Sequence, residues 1–321
     1  MLARPPARSH SRPYSRLAIS QVAQKARPRI REATVPGLAP VYALISLIPL
    51  DCLQMRFMQQ ALLGLLLLAP MASVLGVEVI NFRMAFFSDA IGHSAFAGVA
   101  LGLILAVPPR LAMPLFGVLV GLAIMAVRRK SDLSSDTVIG IVFSAVVAFG
   151  LAVVSRAEGV GRDMQRFLYG DILTITDGEI GFLALLFVAL LIFQVFGYNR
   201  LMYIALNPVM ARVHGVRVAL WQYAFAGLLA LVVMFSVWAV GVLLVTAMLI
   251  VPAATARNLA RSAGGMFWWA LLVGTSSAFV GLALSAQEWL ATASGATIIL
   301  VACCWFALSL LAVQTREHRR G

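Results

Sequence analysis

Asp89 and His93 stand four residues apart in "FFSDAIGHSAFAGVA" (86–100), inside one of the most apolar stretches of the chain. On a helix, positions i and i+4 share a face, so a carboxylate and an imidazole would point the same way. The residues between and after them (Ala90, Gly92, Ser94, Ala95, Ala97 and Gly98) are small, which lets membrane helices approach closely. An ionisable group deep in a lipid-spanning helix costs about 3 kcal/mol or more unless it is paired or hydrated, and so calls for a function. His93 is the histidine that falls within an apolar span; His10, His214 and His318 fall outside. Carboxylate plus imidazole suits a divalent first-row ion such as Zn²⁺ or Mn²⁺. One such pair is half of a tetrahedral site, and two copies related by a two-fold axis would supply four ligands. The same residues also fit a Ser/Asp/His hydrogen-bond cluster that only holds helices together.

Other chemistry is missing. There is no G-x-x-x-x-G-K-[ST], and the lysines are Lys25 and Lys130 alone, so the chain has no P-loop with which to hydrolyse ATP. H-E-x-x-H and G-x-S-x-G are absent too. Cys52, Cys303 and Cys304 make no C-x-x-C pair and read as small packing residues. An intramembrane enzyme built on Asp89 and His93 would need a second acid deep in a span. None is expected, since Glu78 lies near the inner end of the first span, where it can pair with Arg83 or reach water.

The elements that must position the pair follow from composition. The chain is 61% hydrophobic and 12% charged, against about a quarter charged in soluble domains. Its mean hydropathy is +0.93. The fold class is therefore all-α, a polytopic helical membrane protein, with no strand-like alternation to suggest a barrel. Apolar runs long enough to cross a bilayer lie near 59–80, 84–106, 111–127, 137–155, 180–198, 218–237, 239–256, 267–286 and 293–313. That makes about nine spans, with eight to ten compatible with the pattern; 218–256 is nearly continuous.

Charge orients them. Arg83, then Arg128 to Lys130, then Arg200, Arg212 and Arg217, then Arg257 and Arg261, then the C-terminal arginines occupy alternate connections. The 156–179 connection has five acids against three arginines, so the positive-inside rule puts it outside and the basic connections inside. Asp171, Asp177 and Glu179 there read as a solvated loop that could also attract cations or meet a partner. The net charge of +12 comes from this bias and from the N-terminal arm. No basic face with interleaved aromatics suggests nucleic-acid binding.

Residues 1–54 form a basic extension expected to be disordered. It reads as a targeting segment, as part of an extra span, or, favoured by where patterned sequence begins, as residues upstream of a true start at Met55. Residues 55–315 form the membrane domain and 316–321 a basic tail. Within the inner segment 199–217, Asn207-Pro208 makes a helix start, with Asn as cap and Pro in the first position. Gly215 makes a stop. Pro252 should kink its span.

At this point the residues resemble a family. "FFSDAIGHSAFAGVALG" (86–102) is similar to the D-x-x-x-H helix of the permease subunits of zinc/manganese ABC importers. "SDTVIGIVFS" (135–144), "FLYGDIL" (167–173), "LNPVMARVHGVRV" (206–218) and "VGVLLVTAMLIVPAATARNLA" (240–260) follow in the family's order. The cover runs from about residue 55 to 310. Ser88 and Gly92 stand where the family commonly has Gly and Ser, and Asn207 where it commonly has Asp. The resemblance implies a permease, not an enzyme, in a bacterial cytoplasmic (inner) membrane. It implies Asp89 and His93 as metal ligands, and no permanently bound cofactor but a transported Zn²⁺ or Mn²⁺. It implies as partners a second copy of the chain, a cytoplasmic ABC ATPase and an extracytoplasmic metal-binding protein. Asn207, Pro208, Ala211, Arg212, His214 and Gly215 become the helix that docks on the ATPase. Gly241 and Pro252 become the points where gating or a kink is expected.

Overall fold

The computed structural model describes residues 39–47, 51–155, 172–287 and 292–318. The basic arm 1–38 and the acids Glu158, Asp163 and Asp171 lie outside them. Among the described residues the chain forms helices and two short 3-10 turns, with no strand. In order these are α1 (Ala39–Ile45), α2 (Arg56–Asn81), α3 (Phe87–Ile104), α4 (Pro109–Lys130), α5 (Ser135–Val154), α6 (Asp177–Leu206), α7 (Pro208–Val213), α8 (Val218–Val240), α9 (Val242–Leu259), α10 (Ala263–Ser285) and α11 (Ser294–His318). Eight of them are long and apolar enough to cross a membrane: α2, α4, α5, α6 and α8 to α11. With α3, whose 18 residues reach about 27 Å, the nine expected spans each find their helix.

α2 is the hub. Its most apolar window is 72% buried, against 22% for α5 and for α11. It packs on α6, α9 and α10. Gly76 rests on the Leu249 carbonyl of α9, and Gly274 of α10 rests on the Ser73 hydroxyl of α2. Small residues at such crossings are what brings backbones together where lipid supplies no hydrophobic drive. α3 packs on α4, α5, α8 and α9. α5 and α11 turn most of their apolar surface outward, towards lipid or another chain.

The break between α8 and α9 falls at Gly241, with φ 90° and ψ 160°, a region open essentially to glycine alone. The near-continuous 218–256 run therefore divides where a side chain cannot follow. At the other difficult boundary, α2 ends in a Schellman motif. Met84 N–H donates to Val79 O at 3.0 Å and Arg83 N–H to Ile80 O at 3.1 Å. Arg83 takes the left-handed position at φ 55°. The cap and the turn after it consume residues 82–86, so α3 begins at Phe87 rather than at 84.

Packed structure begins before Met55: Tyr42 of α1 is 3% exposed and Leu53 is 2% exposed. Among the described residues α1 has seven residues, about 10 Å. α6, at 30 residues, runs about 45 Å and continues to Leu206, so much of the 199–217 segment is helix extending the span.

Candidate functional site

α3 sets the height of the Asp89–His93 pair. The Phe87 ring lies against Gly121, near the middle of α4 (Pro109–Lys130). One turn on, Gly92 meets Val242, the first residue of α9. Asp89 and His93 therefore lie in the first two turns of α3, between the end marked by Arg83 and Arg128 and the level of Val242. Both are partly exposed, whereas Ser88, Ala90, Ile91, Gly92, Ser94 and Ala95 are buried. The two ligand-type side chains thus share the one face of α3 that this chain leaves open. The His93 ring meets Phe143 of α5 edge-on at 5.5 Å and Phe96 at 5.9 Å, so aromatic rings flank the imidazole.

No hydrogen bond or ion pair ties Asp89 or His93 to another described residue. The Ser/Asp/His cluster alternative is not what forms: Ser94 Oγ donates back to Ile91 O at 2.7 Å. Among the described residues no three His, Cys, Asp or Glu side chains converge. Among the described residues, one copy brings these two ligand-type side chains together on an open face with no third beside them.

The second candidate region is local and complete. Asn207 caps α7, its side-chain oxygen accepting from Val209 N–H at 3.0 Å and Met210 N–H at 3.1 Å. Pro208 occupies the first helical position, where its missing N–H costs nothing. Gly215, at φ 79°, ends the helix in a second Schellman motif. Val216 N–H donates to Ala211 O and Gly215 N–H to Arg212 O, each at 3.0 Å. His214 Nδ1 lies 2.9 Å from both the Tyr203 hydroxyl and Met210 O, which locks α7 to the end of α6. Arg212 Nε donates to Pro208 O at 3.3 Å. Ala211 is buried, while Leu206, Val209, Met210 and Val213 are exposed. An apolar surface is therefore presented at the basic end of the bundle, on a helix too short to be held by itself.

Gly241 and Pro252 flank one stretch of α9. Pro252 is buried inside the helix and removes the backbone bond to Met248. Pro70 in α2 and Pro114 in α4 do the same in their helices.

At the opposite end, Asp177 and Glu179 are structural pins rather than a solvated loop. Asp177 accepts from the Tyr42 hydroxyl at 2.6 Å and from Gln60 Nε2 at 2.8 Å, with Arg56 at 3.6 Å. Glu179 closes a capping box with Thr176 and accepts from Trp238 Nε1 at 2.9 Å. A cleft of about 380 Å³ beside it, lined by Arg110, Phe182, Phe235 and Trp238 among others, does not include Asp89 or His93. Cys303 and Cys304 are exposed on α11 rather than packed.

Sequence reasoning missed one buried acid. Glu78 is 1% exposed and both its oxygens lack a hydrogen-bond partner. It neither pairs with Arg83, whose backbone turns its side chain outward in the α2 cap, nor reaches water. Its partner in position, Gln194 of α6, lies 116 residues away in the chain, so no local spacing announces the pair.

The model of the "ABC 3 transport family" matches residues 54–313. The chain is 32% identical over 250 residues to the high-affinity zinc uptake system membrane protein ZnuB of Haemophilus influenzae, covering 78% of this chain and 95% of that one. It is 32% identical over 259 residues to the manganese transport system membrane protein MntC of Listeria innocua, covering 81% and 91%. Among solved structures, PsaBC from Streptococcus pneumoniae in complex with Fab superposes with a TM-score of 0.69 at 30% identity, over 81% of this chain and 93% of that one. A metal-chelate type ABC transporter in an inward-facing conformation shares the fold, with a TM-score of 0.65 at 18% identity, over 86% and 98%. With the family model covering residues 54–313, from the start of α2 into α11, the chain belongs to the ABC 3 transport family.

Proposed function

We propose that this chain is the membrane permease of an ABC importer that carries zinc or manganese inward across the bacterial cytoplasmic membrane. The observation that carries the reading is the Asp89–His93 pair on the open face of α3, unpartnered among the described residues and flanked by His93's aromatic neighbours. A second copy, related by a two-fold axis, brings a second pair to the first and completes four ligands for a divalent cargo ion. The carboxylate offsets part of the ion's charge and the imidazole supplies a borderline-soft nitrogen. The ion is bound loosely enough to leave because the site forms only between copies.

Energy comes from a separate ATPase. α7 is its docking helix: Val209, Met210 and Val213 present apolar side chains on a helix held rigid at both ends by Asn207 and Gly215. An extracytoplasmic metal-binding protein delivers cargo at the end where α1 and the capped start of α6 meet. Relatives whose names specify zinc uptake and manganese transport support the choice of cargo.

The test is metal uptake in cells lacking their own importer, supplied with this chain and its ATPase and binding protein. Uptake of zinc or manganese that requires all three supports the reading. Uptake independent of this chain, or selective for neither ion, rejects it.

A further inference from the structure

Four buried polar atoms of the α2–α6 seam have no hydrogen-bond partner: Glu78 Oε1 and Oε2, and Gln194 Nε2 and Oε1. Glu78 is 1% and Gln194 7% exposed. Their helices pack on each other and Gln194 is near enough to influence Glu78, without a hydrogen bond in this arrangement. An ionised carboxylate left so is untenable in a bilayer-embedded core. An apolar answer is not available either, since each unmade buried bond costs about 1–3 kcal/mol.

One proton resolves all four atoms. A carboxylic acid is a donor and an acceptor, and so is a carboxamide. Placed face to face they close a ring of two antiparallel hydrogen bonds: Glu78 O–H to Gln194 Oε1, and Gln194 Nε2–H to the Glu78 carbonyl oxygen. The ionised form lacks the first of these and sets oxygen against oxygen. We propose that Glu78 and Gln194 form a proton-binding site that bolts α2 to α6.

The surroundings leave the proton no rival. From α6, Tyr198 is the titratable group near enough to feel Glu78, and its hydroxyl is committed to Ala263 O at 2.8 Å. The adjoining cluster contributed by α9 and α10 is apolar, with Ala253, Ala256, Met266 and Ala270. No ion pair to Glu78 forms among the described residues. Glu78 sits one turn from the end of α2 that carries Arg83, so the proton exchanges with the basic, inner side. Loss of the proton leaves a buried charge that is relieved by parting α2 from α6. Because α6 runs directly into α7 at Asn207, parting them re-aims α7. The proton site is independent of what α7 touches; its influence on transport rests on α7 being the ATPase-facing helix.

Infrared difference spectroscopy on the full-length chain in lipid nanodiscs reads the proton directly. At neutral pH the wild type is expected to show the C=O stretch of a protonated carboxylic acid that Glu78→Gln loses, and Gln194→Leu is expected to shift that band to higher frequency. Thermal unfolding is the second measurement: the wild type should lose melting temperature on alkalinisation while Glu78→Gln, whose amide pairs with Gln194 without a proton, stays flat. A carboxylic acid band unchanged by Glu78→Gln overturns the proposal. So does a wild type and a Glu78→Gln variant with parallel stability–pH curves. If Glu78→Gln fails to insert, an unshifted band in Gln194→Leu overturns it alone. None of these readouts involves metal or ATP, so failure of the importer reading leaves them unaffected.

Discussion

At the residue scale, Asp89 and His93 are partly exposed and, among the described residues, have no hydrogen-bond or ion-pair partner. Ser73, Ser94 and Thr255 return their hydroxyls to carbonyls of their own helices. Asp177 is saturated by Tyr42, Gln60 and Arg56. Asp89→Asn and His93→Ala should each abolish metal uptake while membrane insertion and yield stay normal, since the ligands go but the apolar pattern does not; normal uptake by either variant sinks the site. Ligation requires neutral imidazole and ionised carboxylate, so protons compete with the metal. Cargo affinity should therefore fall on acidification, measured by isothermal titration, and a flat profile removes His93 from the ligand set. Tyr42→Phe deletes a hydrogen bond to a charged acceptor and should cost about 2 kcal/mol of stability, read as a fall in the melting temperature of the detergent-purified chain. That outcome would make α1 a working part of the fold.

At the element scale, helices end where the backbone demands it. Gly241→Ala places a Cβ at φ 90° and should destabilise by about 1–3 kcal/mol, which chemical denaturation in micelles would register. Asn207→Ala should cost about 1 kcal/mol through the lost cap of α7, while Asn207→Asp should keep the cap and retain transport; equal behaviour of the two variants would contradict the capping role. Enlarging Ala211, which is fully buried, should leave hydrolysis by the ATPase running without transport. Much of this was legible in the sequence. Hydropathy gave nine spans because lipid forces continuous apolar helices. Asn207-Pro208 and Gly215 announced α7 because caps are local chemistry. Asp89 and His93 were visible because one helix turn places them. The start of α3 was less legible, since a Schellman cap with Arg83 in the left-handed position carries no glycine to mark it. Glu78–Gln194 and Tyr42–Asp177 were not legible. Both depend on how two helices distant in sequence rotate against each other, which no periodicity within either helix encodes.

At the scale of the whole molecule, the chain is asymmetric in what it covers. α2, α8 and α9 are the more enclosed helices, whereas α5 and the pair-bearing face of α3 are left open. If the cargo site spans two copies, metal binding should saturate at one ion per two chains; one ion per chain would reject a shared site. Purified alone, the chain should hydrolyse no ATP. α6 adds a constraint of a different kind. It is pinned at one extremity by the Thr176–Glu179 capping box and Trp238, and at the other by Asn207 and the Tyr203–His214 contact. A helix advances by about 100° per residue, so its two extremities are in phase only for its present length. One alanine inserted after Phe196 would swing α7 through about 100° without changing a single residue in it. The length of α6 is thus a timing mark cut into the sequence: point substitutions along its lipid face should be borne freely, but insertions and deletions of a single residue should not.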